Sequence, residues 1–118
     1  MKKKVLLICK NKKNLELLSN FLKKNGISSI GCHDLKEAMS MDLEEISLSL
    51  IDLSGYNRSV LKLLSIFFEK RAPFIVIYPP QAKDKNIVPP PGSSGVLIKP
   101  LNPKMLLTLV KNFLQEDI

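Results

Sequence analysis

A chain of 118 residues with 45% hydrophobic and 25% charged residues has the composition of one folded domain, which excludes a disordered polymer. No apolar run approaches the roughly 20 residues that a spanning helix needs, so no membrane association is predicted. The two cysteines, Cys9 and Cys32, lack metal-ligand spacing and fit a reducing cytoplasm, while the net charge of +7 leaves an acidic partner or nucleic acid open.

Along the chain, short apolar runs alternate with segments of helical period, the pattern of a parallel sheet covered by helices on both faces. Val5 to Cys9 is continuously apolar, as a central parallel strand buried on both sides requires. Asn11 or Asn14 then caps a helix carrying Leu15, Leu18, Phe21 and Leu22, with Asn25-Gly26 as a left-handed stop. Ile27 to Cys32 reads as an edge strand. Asp34 and Glu37 have capping-box spacing and open a short helix through Met41.

Leu48 to Leu53 is the next strand, followed by turn chemistry at Ser54-Gly55-Tyr56-Asn57 and a helix from Ser59 to Lys70, in which Phe67 and Phe68 are expected in the core. Phe74 to Tyr78 is strongly β-prone and stops at Pro79-Pro80. From Gln81 to Ser94 the rhythm breaks: Pro89-Pro90-Pro91-Gly92 permits at most one helical turn where another crossover helix belongs. Val96 to Ile98 forms a last strand, and Asn102-Pro103 supplies a cap and a first-turn proline for the final helix through Phe113. No linker or repeat divides residues 1–118, so a single doubly wound α/β domain with five parallel strands is expected.

In such a sheet, ligand chemistry gathers outside the carboxyl ends of the strands, where Cys9, Lys10, Asp52, Tyr78 and Lys99 all fall. The strand ending Leu50-Ile51-Asp52 and the run Gly95-Val96-Leu97-Ile98-Lys99-Pro100 resemble the phosphoacceptor strand and the Lys-Pro signature of response-regulator receiver domains. The resemblance implies a flavodoxin-like receiver topology with a short or missing fourth helix, Asp52 as the phosphoacceptor and Lys99 as the cation on the phosphoryl group.

Departures from that pattern fall on the mechanism. The family ends its first strand in an acidic pair that holds Mg²⁺, where this chain has Cys9 and Lys10. Asp52 and the Ser54 carbonyl are the oxygen donors left, opposed by two lysines, which argues against Mg²⁺ or any other cofactor. Lys10 or Lys99 is expected within ion-pair range of Asp52, Lys10 being the ammonium that would stand where the family holds its metal. The switch positions, a small hydroxyl residue and an aromatic in the family, are Tyr78 and Val96 here.

The resemblance with these departures implies a non-enzymatic pseudo-receiver: a cytoplasmic, phosphorylation-independent module contacting another signalling protein, a sensor kinase or an output protein. Two alternatives stay open, an ordinary phospho-accepting regulator using Asp52, and nucleic-acid binding through a basic face where Lys23, Lys24, Lys70, Arg71 and Lys111 gather with Lys2, Lys3 and Lys4. Lone His33 reads as a surface residue, and Cys9 as a small buried strand-end residue. Oligomeric state is left open.

Overall fold

The structure, a computed structural model, describes residues 4–114. Its strands are β1 (Lys4–Ile8), β2 (Ser29–Cys32), β3 (Ile46–Asp52), β4 (Phe74–Tyr78) and β5 (Gly95–Ile98), and its helices are α1 (Lys12–Lys24), α2 (Leu35–Met39), α3 (Val60–Glu69) and α4 (Pro103–Leu114). All strand pairs are parallel, in the order β2-β1-β3-β4-β5. The order reverses between β1 and β3, so the crevice beyond their carboxyl ends is where this topology places a site.

Side-chain alternation divides the core into two layers. Leu6, Ile8, Ile51 and Val76 point to one face and meet Leu63, Leu64 and Phe67 of α3. Val5, Leu7, Leu50 and Ile75 point to the other and meet Leu22 of α1 with Leu106 and Val110 of α4. Every helix runs back against the strands, so helix amino termini and strand carboxyl ends share one edge of the sheet.

The caps explain most boundaries. Asn11, not Asn14, begins α1: its side chain accepts from the Asn14 backbone N–H at 3.0 Å. At the other end Gly26 takes φ +77, which only a residue without a Cβ adopts at little cost. The Ile27 N–H then closes back on the Leu22 carbonyl at 2.9 Å, so β2 begins two residues later than its apolar run suggests. Asp34 caps α2, but Glu37 does not return the bond: its Oε1 accepts from the Cys32 thiol at 3.4 Å. This helix ends before Met41, where the Ser40 hydroxyl bonds back to the Glu37 carbonyl at 3.2 Å.

As expected from the proline run, the β4–β5 connection holds one 3-10 turn, Pro80–Ala82, and no α-helix. The run ends in a turn in which Ser93 N–H donates to the Pro90 carbonyl at 3.1 Å, with Gly92 at φ +84 against the Phe68 ring. Phe68 corrects the expectation of two core aromatics. Phe67 is fully buried and meets Phe74 edge to face at 6.1 Å, while Phe68, about 100° further round the helix, is 54% exposed.

Candidate functional site

Three side chains converge at the carboxyl edge on the α1–α4 side. Asp52 follows Leu48 and Leu50 in the alternation of β3, and Lys99 follows Leu97 at the end of β5. The Lys99 ammonium lies 2.6 Å from Asp52 Oδ2. The Cys9 thiol donates to the same oxygen at 3.7 Å, and the Ser54 N–H donates to Oδ1 at 2.9 Å. Lys99 also reaches the Ser54 hydroxyl at 3.5 Å. Asp52 is 6% exposed, so burial without these partners would be costly. Burial pushes the Cys9 thiol above its ordinary range, and neighbouring Asp52 pushes it the same way. Cys9 is therefore a buried, protonated donor, in line with its reading as a structural residue.

Of the two lysines expected within reach of Asp52, Lys99 pairs with it and Lys10 does not take the metal's position beside it. The Lys10 ammonium donates to the Gly55 carbonyl at 3.1 Å, and its side chain lies across the exposed Gly55 backbone. The physical reason is alternation. Val5 and Leu7 face α1 and α4, and Cys9 opens onto the pocket beside α1, whereas Leu6 and Ile8 face α2 and α3, and Lys10, two residues past the end of β1, lies on that second side.

The residues present do not fit the Mg²⁺ site that the resemblance implies. Mg²⁺ requires near-octahedral oxygen ligands, and here one carboxylate is engaged by an ammonium, with a protonated thiol in place of a second acid. Among the described residues, no group of three or more His, Cys, Asp or Glu side chains is arranged to hold a metal ion. The Ser54 backbone contributes its N–H to Asp52.

An open pocket of about 480 Å³ leads down to Asp52 and Lys99, walled by Leu17, Leu18 and Phe21 of α1 and by Leu101 and Leu106. Tyr78 and Val96 lie on the opposite face of the sheet, both half-buried against the α2–α3 layer, so the Tyr78 ring shares that layer with the small Val96 side chain. The Lys99–Pro100 peptide bond is cis.

The remaining candidates separate. His33 is exposed, and its carbonyl accepts from the Tyr56 hydroxyl at 2.8 Å. Lys23, Lys24 and Lys111 lie in the last turns of their helices, and Lys70 and Arg71 directly follow α3, all at the edge opposite Asp52. Lys4 at that edge is 3.7 Å from Glu45, and Lys2 and Lys3 lie outside the described residues. The sequence reading missed a second cleft beyond Lys10, lined by Lys36, Lys62 and Tyr56. One local signal for it was available: Lys62 occupies the first turn of α3, where the macrodipole disfavours a cation.

No protein-family model matches the chain, and no curated protein was found similar to it. Solved structures do resemble it. A two-component response regulator from Clostridium difficile superimposes with a TM-score of 0.82 at 24% identity, covering 99% of this chain and 100% of that one. A response regulator receiver protein from Pseudomonas putida gives 0.76 at 24% identity, covering 95% and 98%. The BeF3-activated DrrB receiver domain gives 0.78 at 21% identity, covering 98% and 99%. Strand order, layer arrangement and near-complete coverage together establish that the chain has the fold of response-regulator receiver domains.

Proposed function

We propose that the chain is a pseudo-receiver, a regulatory module that acts through protein–protein contact without phosphoryl transfer, metal or other catalysis. The observation that carries this reading is the closure of the Asp52 carboxylate by Lys99 and Cys9, at a position where the fold's phosphorylation chemistry would need further carboxylates. Phosphoryl transfer to a carboxylate depends on cations that neutralise the transferring oxygens. Here Lys99 is the sole ammonium at Asp52 among the described residues, and it is already spent on Asp52 itself. The partner on this reading is another cytoplasmic signalling protein, a sensor kinase or an output protein. No described helix is long and apolar enough to cross a membrane.

One observation favours a second reading, phospho-acceptance: the open pocket gives a small phosphodonor a route to Asp52, with Lys99 beside it. Titration with millimolar Mg²⁺ and beryllofluoride separates the two. The pseudo-receiver gives no saturable change in the amide spectrum around Asp52, whereas acid-labile phosphate on Asp52 after treatment with an acyl phosphate establishes the second reading. Because Cys9 already touches Asp52, Cys9→Asp should introduce Mg²⁺ affinity, and Lys10→Asp, on the other face, should add little to it.

A further inference from the structure

The pocket above Asp52 has apolar walls, against which a phosphodonor, itself an anion, would lose its hydration. Asn14, Leu17, Leu18 and Phe21 follow one another at helical spacing, so one stripe of α1 faces the opening. Leu18 and Phe21 also pack on the core, whereas Leu17 is 59% exposed and extends the apolar stripe beyond it. Opposite stand Leu101, in the β5–α4 connection, and Leu106 of α4. The polar groups of the pocket are Asn14 on the helix and the cluster of Cys9, Asp52 and Lys99 at the floor. Asp52 and Lys99 neutralise each other at 2.6 Å, so the floor carries no net charge. Its hydrogen-bonding capacity is not exhausted. An ammonium has three N–H donors, and Lys99 directs two of them at Asp52 Oδ2 and the Ser54 hydroxyl, which leaves one without an acceptor among the described residues.

We propose that this pocket binds a small neutral acyl compound, a medium-chain ketone or ester, with its carbonyl oxygen on the uncommitted Lys99 N–H and its chain between α1 and α4. A volume of about 480 Å³ lies in the range of small-molecule sites, in which apolar walls supply affinity and a few converging polar groups fix orientation. The charge balance at the floor selects the head group. A carboxylate would be set against Asp52 and an amine against Lys99, each of them desolvated, whereas a carbonyl accepts from the ammonium and adds no charge. Each methylene moved from water onto Leu17, Leu18 and Leu101 strengthens binding in proportion to the apolar area covered. This role rests on the pseudo-receiver reading, because it needs the Asp52–Lys99 pair closed in the working protein; the bound ligand then takes the place of a phosphoryl group as the signal.

The test is a titration of the full chain, isotope-labelled at its leucine methyls, with methyl heptyl ketone, methyl ethyl ketone, nonanoate and nonylammonium, without divalent metal or phosphodonor. Saturable shifts are expected at Leu17, Leu18, Leu101 and Leu106 with methyl heptyl ketone. Methyl ethyl ketone keeps the head and lacks most of the chain, and should bind at least about a hundredfold more weakly. The two ions should bind at least about tenfold more weakly. Leu17→Glu should reduce affinity for the long ketone by about tenfold or more, while Leu61→Glu, at a leucine 55% exposed on α3 in the other layer, should change it less than about twofold. Lys99→Met should invert the order of head groups, nonylammonium binding more tightly than the ketone, because Asp52 is then the uncompensated charge. If that variant fails to fold, the two leucine variants carry the test. Absence of saturation, equal weakening by the two glutamate variants, an ion or the short ketone bound as tightly as the long one, or an unchanged order in folded Lys99→Met would each overturn the proposal. Acid-labile phosphate on Asp52, measured separately on the ligand-free protein, overturns the pseudo-receiver reading itself, whereas absence of both phosphate and ketone binding strikes the ligand alone.

Discussion

Replacing Lys99 by methionine tests the central electrostatic feature of the site. The substitution keeps an unbranched apolar stem and removes the ammonium 2.6 Å from Asp52 Oδ2. Breaking a fully buried ion pair from one side costs about 3–5 kcal/mol, because the remaining charge has neither partner nor water. The Asp52 side chain is 8% exposed and that of Lys99 23%, so water reaches the pair from the lysine side and the expected loss is nearer ~2–3 kcal/mol. The reverse change, Asp52→Asn, leaves Lys99 able to swing into the open pocket and should cost only about 1 kcal/mol. The double variant removes both charges and should return to within about 1 kcal/mol of the parent. With a urea slope of about 1–3 kcal/mol/M for a small domain, Lys99→Met should lower the denaturation midpoint by roughly 1 M or more. Equal losses below about 0.5 kcal/mol for both single variants, with no coupling between them, would refute the reasoning and show the pair to be solvated.

Three further perturbations read other parts of the structure. Burial, then the hydrogen bond to Glu37, raises the Cys32 thiol from an ordinary 9.0 to about 11. Between pH 9.0 and about 11 the native state therefore holds a proton that the unfolded chain has lost, so stability falls as pH rises through that window and is unaffected below it. Urea midpoints of the parent and Cys32→Ala should differ by a constant amount below pH 9.0 and converge toward about 11, and an iodoacetamide reaction at pH 8 as fast as that of a free thiol would contradict the shift. Gly92→Ala places a Cβ against the Phe68 ring at φ +84, and a loss of about 2 kcal/mol is expected; a thermal midpoint unchanged from the parent would show the proline turn to be free of α3. Ser49 is fully buried with no hydrogen-bond partner for its hydroxyl, so Ser49→Ala should gain about 1 kcal/mol in chemical denaturation, and a loss would reveal a bond that the structure lacks.

Much of this protein was legible along the chain because the signals are local. Continuous apolar runs at Val5–Ile8 and Phe74–Tyr78 can be buried only as central strands, Asn102-Pro103 can only begin a helix well, and three successive prolines cannot form one. The approach of Lys99 to Asp52 was also legible, since both end strands of one parallel sheet. The place of Lys10 was legible in principle: alternation from Leu6 and Ile8 carries it away from Asp52, and only adjacency in sequence suggested otherwise. Phe68 was misjudged because helical period alone does not say which edge of an apolar stripe a neighbouring element covers, and no α-helix follows β4 to cover this one.

The convergence of Lys10, Lys36, Lys62 and Tyr56 belongs to tertiary structure. Lys10 comes from the β1–α1 connection, Lys36 from α2, Tyr56 from the β3–α3 connection and Lys62 from α3, and no local pattern links them. Sequence by itself determined the elements, their order and the acid and base at the strand ends, because periodicity, capping and proline chemistry act within a few residues. Only the folded sheet decided which ammonium meets Asp52 and which line a separate cleft, because that depends on the face to which each strand end turns and on the packing of α2 beside α3.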